Sequence, residues 1–153
     1  MTVKDLMSAP VTTVAPDDSL CVAGGVMSMV RLSHLPVVDR RGLVGMLTQR
    51  DILGAPGLFD PMFGPAVNAR ETLKAHRVGE VMSGLVTIGA EASLPQAVEK
   101  LLKHGVDCLS VLEDGALVGI VTTSDVLRAV AGPPRRLRRG GCTVVSATAS
   151  SAA

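Results

Sequence analysis

One stretch of this chain occurs twice, and the duplication restricts what the chain can fold into. It reads Leu43-Val44-Gly45-Met46-Leu47-Thr48-Gln49-Arg50-Asp51-Ile52-Leu53, and later Leu117-Val118-Gly119-Ile120-Val121-Thr122-Thr123-Ser124-Asp125-Val126-Leu127. Gly, Thr and Asp recur at a constant spacing of 74 residues. An apolar run that ends in Thr and passes through a polar step into a new apolar pattern reads as a strand turning into a helix. Two readings share that geometry. In one, Thr48 or Thr122 caps the helix and Asp51 or Asp125 closes a capping box. In the other, the junction is a nucleotide site. Free N–H groups at the helix start attract phosphate, the Thr hydroxyl adds a donor, and the carboxylate accepts the hydroxyls of a ribose. The preceding Gly removes a side chain where a ligand or another backbone would approach. One copy alone favours the cap; the second copy strengthens the nucleotide reading.

The flanking segments repeat too. Val3 to Met7 opens a short turn or helix, and Val11-Thr12-Thr13-Val14 reads as a short strand. Pro16-Asp17-Asp18-Ser19 reads as a loop that delivers an N-cap. Leu20, Ala23, Met27 and Val30 follow with helical spacing. Gly24-Gly25 inside that helix costs about 1 kcal/mol per Gly relative to Ala, with close approach of a neighbouring helix as the expected compensation. His34 to Asp39 is a second strand, Arg40-Arg41-Gly42 a hairpin turn and Leu43 to Thr48 a third strand, with a helix from Gln49. The second half repeats this β-α-β-β-α order. Val78 to Met82 matches Val3 to Met7, and Val86-Thr87-Ile88 matches the first strand. Ser93-Leu94-Pro95-Gln96 starts a helix with apolar face Ala97, Leu101 and Leu102. Cys108 to Glu113 is a strand, Asp114-Gly115 a tight turn and Ala116 to Thr122 a strand. A unit of about 50 residues buries too little surface alone, so the two should pack on each other.

Composition limits the function classes. Apolar residues form 47% of the chain, but there is no Trp or Tyr and only two Phe, so the core is aliphatic. The lack of aromatics argues against single-stranded nucleic-acid binding, and the net charge of +1 against bulk attraction to nucleic acid or anionic membrane. Cys21, Cys108 and Cys142 are widely spaced, which reads as reduced thiols, buried for Cys21 and Cys108, in a cytoplasmic protein. No signal peptide pattern and no membrane-spanning run is visible. His76 and His104 have no metal-ligand partners in sequence and read as surface residues. No nucleophile–base pair, metal cluster or P-loop is present, so no enzyme and no catalytic cofactor is expected.

The repeated V-x-D/E-V/L-M, V-T followed by S-L, L-P-V-V-D with its counterpart L-S-V-L-E, and L-V-G-x-x-T-x-x-D together resemble a tandem pair of cystathionine-β-synthase (CBS) domains, a Bateman module. The resemblance covers residues 1–54 and 78–131. It implies an α+β fold: two β-α-β-β-α units related by a pseudo-two-fold, sheets packed together and helices outside. It also implies a cleft for adenosine ligands such as AMP, ADP, ATP or S-adenosylmethionine, a homodimer, and a regulatory role toward a partner protein in trans. By position, Asp51 and Asp125 would hold ribose. Thr48, Thr122, Arg50 and His34 would contact phosphate. Thr12, Thr13, Val14, Pro36, Val37, Thr87, Ile88, Ser110 and Val111 would wall the adenine.

The copies differ where phosphate charge would sit. His34 and Arg50 belong to the first; their counterparts are Cys108 and Ser124, with Asp107 adjacent. His or Arg just before such a Leu-Pro is similar to the phosphate-contacting positions of the AMP-activated protein kinase regulatory subunit. The first copy is therefore expected to be the better nucleotide site. Residues 55–77 read as a linker, a loop followed by a short polar helix over 68–77, with Phe59 and Phe63 tucked against the core. Residues 132–153 read as a disordered tail carrying the basic cluster Arg135 to Arg139. The alternative to a ligand sensor is a ligand-free scaffold that dimerises, its motifs serving only as helix caps.

Overall fold

In a computed structural model of the chain, residues 1–132 are described; the expectations for the tail and for Cys142 lie outside them. A 3-10 turn at Val3–Asp5 precedes helix α1 (Leu20–Val30), strands β1 (His34–Asp39) and β2 (Gly42–Thr48), and helix α2 (Gln49–Leu53). A small hairpin, β3 (Phe59–Asp60) and β4 (Gly64–Pro65), and helix α3 (Ala69–Ala75) form the connection. Helix α4 (Val78–Val81), strand β5 (Thr87–Gly89), helix α5 (Leu94–His104), strands β6 (Cys108–Glu113) and β7 (Ala116–Thr122) and helix α6 (Thr123–Ala131) complete the second unit. The fold is α+β, two units with β2 and β7 in contact between them.

Turn and cap chemistry sets these boundaries. Ser19 and Ser93 accept from Val22 N–H and Gln96 N–H at the starts of α1 and α5. Asp114 and Gly115 both have positive φ (51° and 81°), the pair that a tight two-residue hairpin needs. Both hairpins carry a bulge at the same place, between Val37 and Val38 and between Val111 and Leu112.

The first strand of the first unit does not form as expected. Val14 makes a single parallel bridge to Val37, whereas β5 pairs with β6 over three residues. Two prolines account for the difference. In the second unit Ser110 N–H donates to Val86 C=O (3.0 Å) and Ala90 N–H to Leu112 C=O (3.1 Å). The repeat-equivalent positions are Pro36 and Pro16, which have no N–H to give.

Sequence repeats and packing units do not coincide. The first core comprises Val14, Leu20, Ala23, Met27, Leu35, Val37, Leu47, Ile52 and Ala55, together with Val78 from the second repeat. The second comprises Ile88, Ala90, Ala97, Leu101, Leu109, Val111, Val121 and Val126, together with Val3 from the first. Val3 N–H donates to Ala92 C=O and Lys4 N–H to Ala90 C=O (2.8 and 2.9 Å), which fixes the N-terminal turn on the opposite repeat. Full burial of each exchanged Val contributes about 1.5–3 kcal/mol to the core it enters.

Several sequence expectations change. Gly24 meets only Ile52 Cδ1, at an ordinary 3.9 Å, and Gly25 faces open space, so no close helix approach compensates them. Leu102 is 78% exposed rather than part of the apolar face of α5. Phe59 and Phe63 are 61% and 86% exposed on the β3–β4 hairpin rather than tucked in. Cys21 is half-buried, not buried. His76 is no free surface residue: Nδ1 lies 2.8 Å from Glu80 Oε2 and Nε2 3.0 Å from Pro56 O.

Candidate functional site

Each repeated junction folds into the capping box its sequence encodes. Thr48 N–H and Oγ–H both donate to Asp51 Oδ2 (2.7 Å each), and Asp51 N–H donates to Thr48 Oγ (3.1 Å). In the second copy Thr122 N–H and Oγ–H donate to Asp125 Oδ2 (2.9 and 2.6 Å), and Asp125 N–H donates to Thr122 Oγ (3.3 Å). One carboxylate oxygen is thus committed to the cap. The other faces outward and has a different partner in each copy. Ser83, from the second repeat, donates to Asp51 Oδ1 (2.8 Å), whereas Arg128 Nη1 pairs with Asp125 Oδ1 (2.7 Å).

The motif glycines answer to a methionine. An ideal Cβ on Gly45 would stand 2.5 Å from Met82 Sδ and 3.2 Å from Ser83 O. One on Gly119 would stand 2.9 Å from Met7 Cγ, with Met7 Sδ nearer still. The repeated V-x-x-x-M and L-V-G signals are therefore two sides of one contact, made crosswise between the repeats. The Ser after each Met pairs through its backbone with the facing strand, Ser83 with Met46 and Ser8 with Ile120.

Two cavities result, each built by both repeats. The first, about 480 Å³, is lined by Thr48, Gln49, Arg50, Asp51, Met46 and Leu53 with Ser33 and His34, and by Ser83, Gly84, Val86 and Gly105 to Cys108. The second, about 490 Å³, is lined by Thr122, Thr123, Ser124, Asp125, Arg128 and Ile120 with Asp107, and by Ser8 and Arg31 to His34. The residues assigned to ribose and phosphate are brought together: Asp51, Thr48, Arg50 and His34 in the first cavity, Asp125 and Thr122 in the second. The adenine-wall residues are placed elsewhere. Pro36, Val37, Ser110 and Val111 are buried in the sheets, Val14 and Ile88 are buried beside them, and neither they nor Thr12, Thr13 and Thr87 line either of these two cavities. The aliphatic walls present are Met46, Val86 and Val106 in the first cavity and Leu32 and Ile120 in the second.

The expected charge asymmetry rests on a premise that does not hold. His34 and Asp107 line both cavities, so neither belongs to one copy's site. Burial depresses the His34 pKa below its ordinary 6.5, against the pull of Asp107 and Asp51, so the imidazole is neutral near pH 7. It can donate one hydrogen bond to a phosphate but carries no resting charge. Burial, reinforced by Asp125 and Asp107, pushes the Cys108 thiol up to about 12, which leaves it protonated and unreactive. Among the described residues no His, Cys, Asp and Glu cluster could hold a metal ion.

Sequence reasoning missed Ser83, Arg31 and Arg128. A signal existed for each. Met7-Ser8 and Met82-Ser83 repeat as pairs, and Arg31 and Arg128 stand where the other repeat has Gly105 and Gly54.

Residues 3–57 and 78–132 each match the family model of the CBS domain. The chain belongs to the CBS domain family. It is 32% identical over 125 residues to the CBS domain-containing protein YhcV of Bacillus subtilis, covering 81% of each chain. It is 28% identical over 139 residues to inosine-5'-monophosphate dehydrogenase of Staphylococcus aureus, with 88% of this chain covering 25% of that protein. A 33.4 kDa protein of Thermofilum pendens is 31% identical over 82% of this chain, which spans 42% of that protein's length. Solved structures superpose over most of this CBS pair. A CBS domain pair in complex with 5'-methylthioadenosine and S-adenosyl-L-methionine gives a TM-score of 0.71 at 27% identity, covering 86% of this chain and 97% of that one. A CBS protein in complex with AMP gives 0.70 at 26% identity, covering 88% and 99%.

Proposed function

We propose that this CBS pair is a regulatory module that binds an adenosine ligand of the AMP, ADP, ATP or S-adenosylmethionine type and acts on a partner protein in trans. One observation carries the reading: both cavities present the outward oxygen of a capped Asp, Asp51 or Asp125, beside aliphatic walls contributed by both repeats. That oxygen suits a ribose hydroxyl, and the cap holds the carboxylate in place for it. Thr48 and Thr122, with Arg50 in the first cavity and His34 between the two, are the phosphate-side groups. Neighbouring solved CBS pairs that hold AMP, or S-adenosylmethionine with methylthioadenosine, support the ligand class. The role is binding, not catalysis, and the site of action is cytoplasmic. No helix among the described residues is long and apolar enough to cross a membrane. Exposed Val22 and Met29 on α1, with Leu127 and Val130 on α6, support a homodimer.

A second reading has its own observation. Both Asp side chains are fully partnered without any ligand, so the motif is self-sufficient as a cap and a ligand-free dimerising scaffold needs nothing more. A thermal-shift titration with AMP, ATP and S-adenosylmethionine separates the two, because a ligand bound only by the folded state raises Tm. The sensor reading expects a concentration-dependent rise that weakens in Asp51→Ala or Asp125→Ala. No rise with any of the three at millimolar concentration establishes the scaffold.

A further inference from the structure

We propose that the second cavity, not the first, is the one that selects for phosphate, and that Arg31 and Arg128 are its specificity-determining residues. The inference rests on the adenosine-ligand reading above and deepens it. The two cavities are pseudo-equivalent, so their charges can be compared directly. The first sets one Arg, Arg50, against Asp51 and Asp107, and the second sets two, Arg31 and Arg128, against Asp107 and Asp125. With His34 common to both and neutral, the first cavity is net acidic and the second is balanced. An anion that brings two or more charges is repelled less, and paired better, in the second.

Both extra guanidinium groups occupy positions where the other repeat has glycine. Arg31 caps α1 with a left-handed backbone (φ 54°, ψ 43°), and its equivalent Gly105 caps α5 with the same geometry (φ 61°, ψ 35°). A residue with a Cβ is disfavoured in that conformation. Glycine meets the requirement in one repeat, so the helix cap does not call for Arg in the other. A strained residue whose side chain lines a cavity directs attention to the cavity.

Arg128 adds a gating element. It holds the outward oxygen of Asp125 in an ion pair, yet its own side chain is 75% exposed, so the pair is weak and readily exchanged. A ligand must displace Arg128 before its ribose can reach Asp125. A nucleotide offers the displaced guanidinium its phosphates, with bidentate geometry available. A nucleoside offers nothing, and Arg128 then competes with it. In the first cavity the equivalent oxygen is held by the neutral Ser83 hydroxyl, which imposes no such test.

Isothermal titration with adenosine, AMP and ATP, each without divalent cation, checks this in wild type, Arg31→Gly, Arg128→Ala and the double variant. Wild type should prefer ATP to adenosine by about tenfold or more, and the double variant should bring the two within about threefold. Arg128→Ala should leave adenosine binding equal or tighter, since Asp125 is then free. Arg31→Gly relieves a strained cap and should not lower Tm, which separates a binding effect from misfolding. Binding with the same ATP-to-adenosine ratio in the double variant overturns the proposal and leaves the adenosine reading standing. Loss of the ATP preference in Asp51→Ala but not in Asp125→Ala overturns the choice of cavity. Failure of all three probes to bind wild type overturns both.

Discussion

Gly45→Ala tests whether the crosswise methionine contact holds the two repeats in place. The added Cβ would stand 2.5 Å from Met82 Sδ, 3.1 Å from its Cγ and 3.2 Å from Ser83 O. The thioether is flexible and can swing away, at the loss of its packing. Ser83 O cannot swing, because it accepts from Met46 N–H (3.1 Å) while Ser83 N–H donates to Met46 C=O (2.8 Å). Overpacking of this kind costs about 1–3 kcal/mol. Loss of the extra freedom of Gly in the unfolded chain returns about 0.4–1 kcal/mol. The net expectation is destabilisation by about 1–2 kcal/mol. With a urea slope of about 1–3 kcal/mol/M, that moves the unfolding midpoint down by roughly 0.3–2 M with the slope unchanged. The decisive comparison is Gly45→Ala in a Met82→Ala background. There most of the clash is gone, and the substitution should cost less than about 0.5 kcal/mol. If Gly45→Ala costs the same in both backgrounds, so that the two changes add within about 0.3–0.5 kcal/mol, the methionine is not the reason for the glycine and the reasoning fails.

Three single residues carry the further outcomes. Ser110 is fully buried with no hydrogen-bond partner for Oγ among the described residues, so Ser110→Ala should stabilise by about 1 kcal/mol and raise Tm by roughly 2–4 °C in a calorimetric scan. The depressed pKa of His34 means that the unfolded state binds the proton first; stability should therefore fall as pH drops through about 6.5, and His34→Gln should flatten Tm between about pH 7 and pH 5.5. A phosphate beside His34 reverses that depression, so AMP or ATP affinity should rise over the same fall in pH, and adenosine affinity should not. Val3→Ala empties part of the second core and should lower stability by about 1–3 kcal/mol, read by urea unfolding, although Val3 belongs in sequence to the first repeat.

What was legible in the sequence is what local chemistry decides. The capping boxes at Thr48–Asp51, Ser93–Gln96 and Thr122–Asp125, the Asp114-Gly115 turn and the strand-to-helix junctions all depend on residues within a few positions of each other. The missing strand at Val11 to Val14 was also encoded, but across a pairing: Pro16 and Pro36 matter only once Val14 is known to lie against Val37. The exchange of Val3 and Val78 between cores carries no local signal at all, because a buried Val reads the same whichever core receives it. The site followed this division. The groups proposed for ribose and phosphate, His34 apart, come from a motif contiguous in sequence. Part of its aliphatic wall (Val86 and Val106 in the first cavity, Leu32 in the second) and its Arg31 come from the repeat that does not supply that motif, and Pro36, Val37, Ser110 and Val111 are sheet interior.

The exchanged segments also explain why the repeats work as a pair and not as two sites side by side. Asp51 belongs to the first repeat, but the hydroxyl on its outward oxygen is that of Ser83, carried by the segment that covers Gly45 with Met82. A ligand that takes Asp51 Oδ1 must take it from Ser83. The same segment enters the first core through Val78, four backbone hydrogen bonds tie it there (Val78 N–H to Asp18 C=O, Gly79 N–H to Pro16 C=O, Met46 N–H to Ser83 C=O and Ser83 N–H to Met46 C=O), and on its far side it continues into β5. Loss of one exposed hydroxyl contact is worth only about 1 kcal/mol, but it falls on the element that links the two cores. A coupling of that size matches the range over which regulatory modules operate, about 1–3 kcal/mol. In the second cavity the corresponding contact is Arg128 on Asp125, contained within α6, so occupancy there exchanges a partner inside one helix. The chemistry proposed to make the second cavity selective would thus leave it mechanically local, and the neutral contact at the first would leave that cavity the better placed to move one repeat against the other.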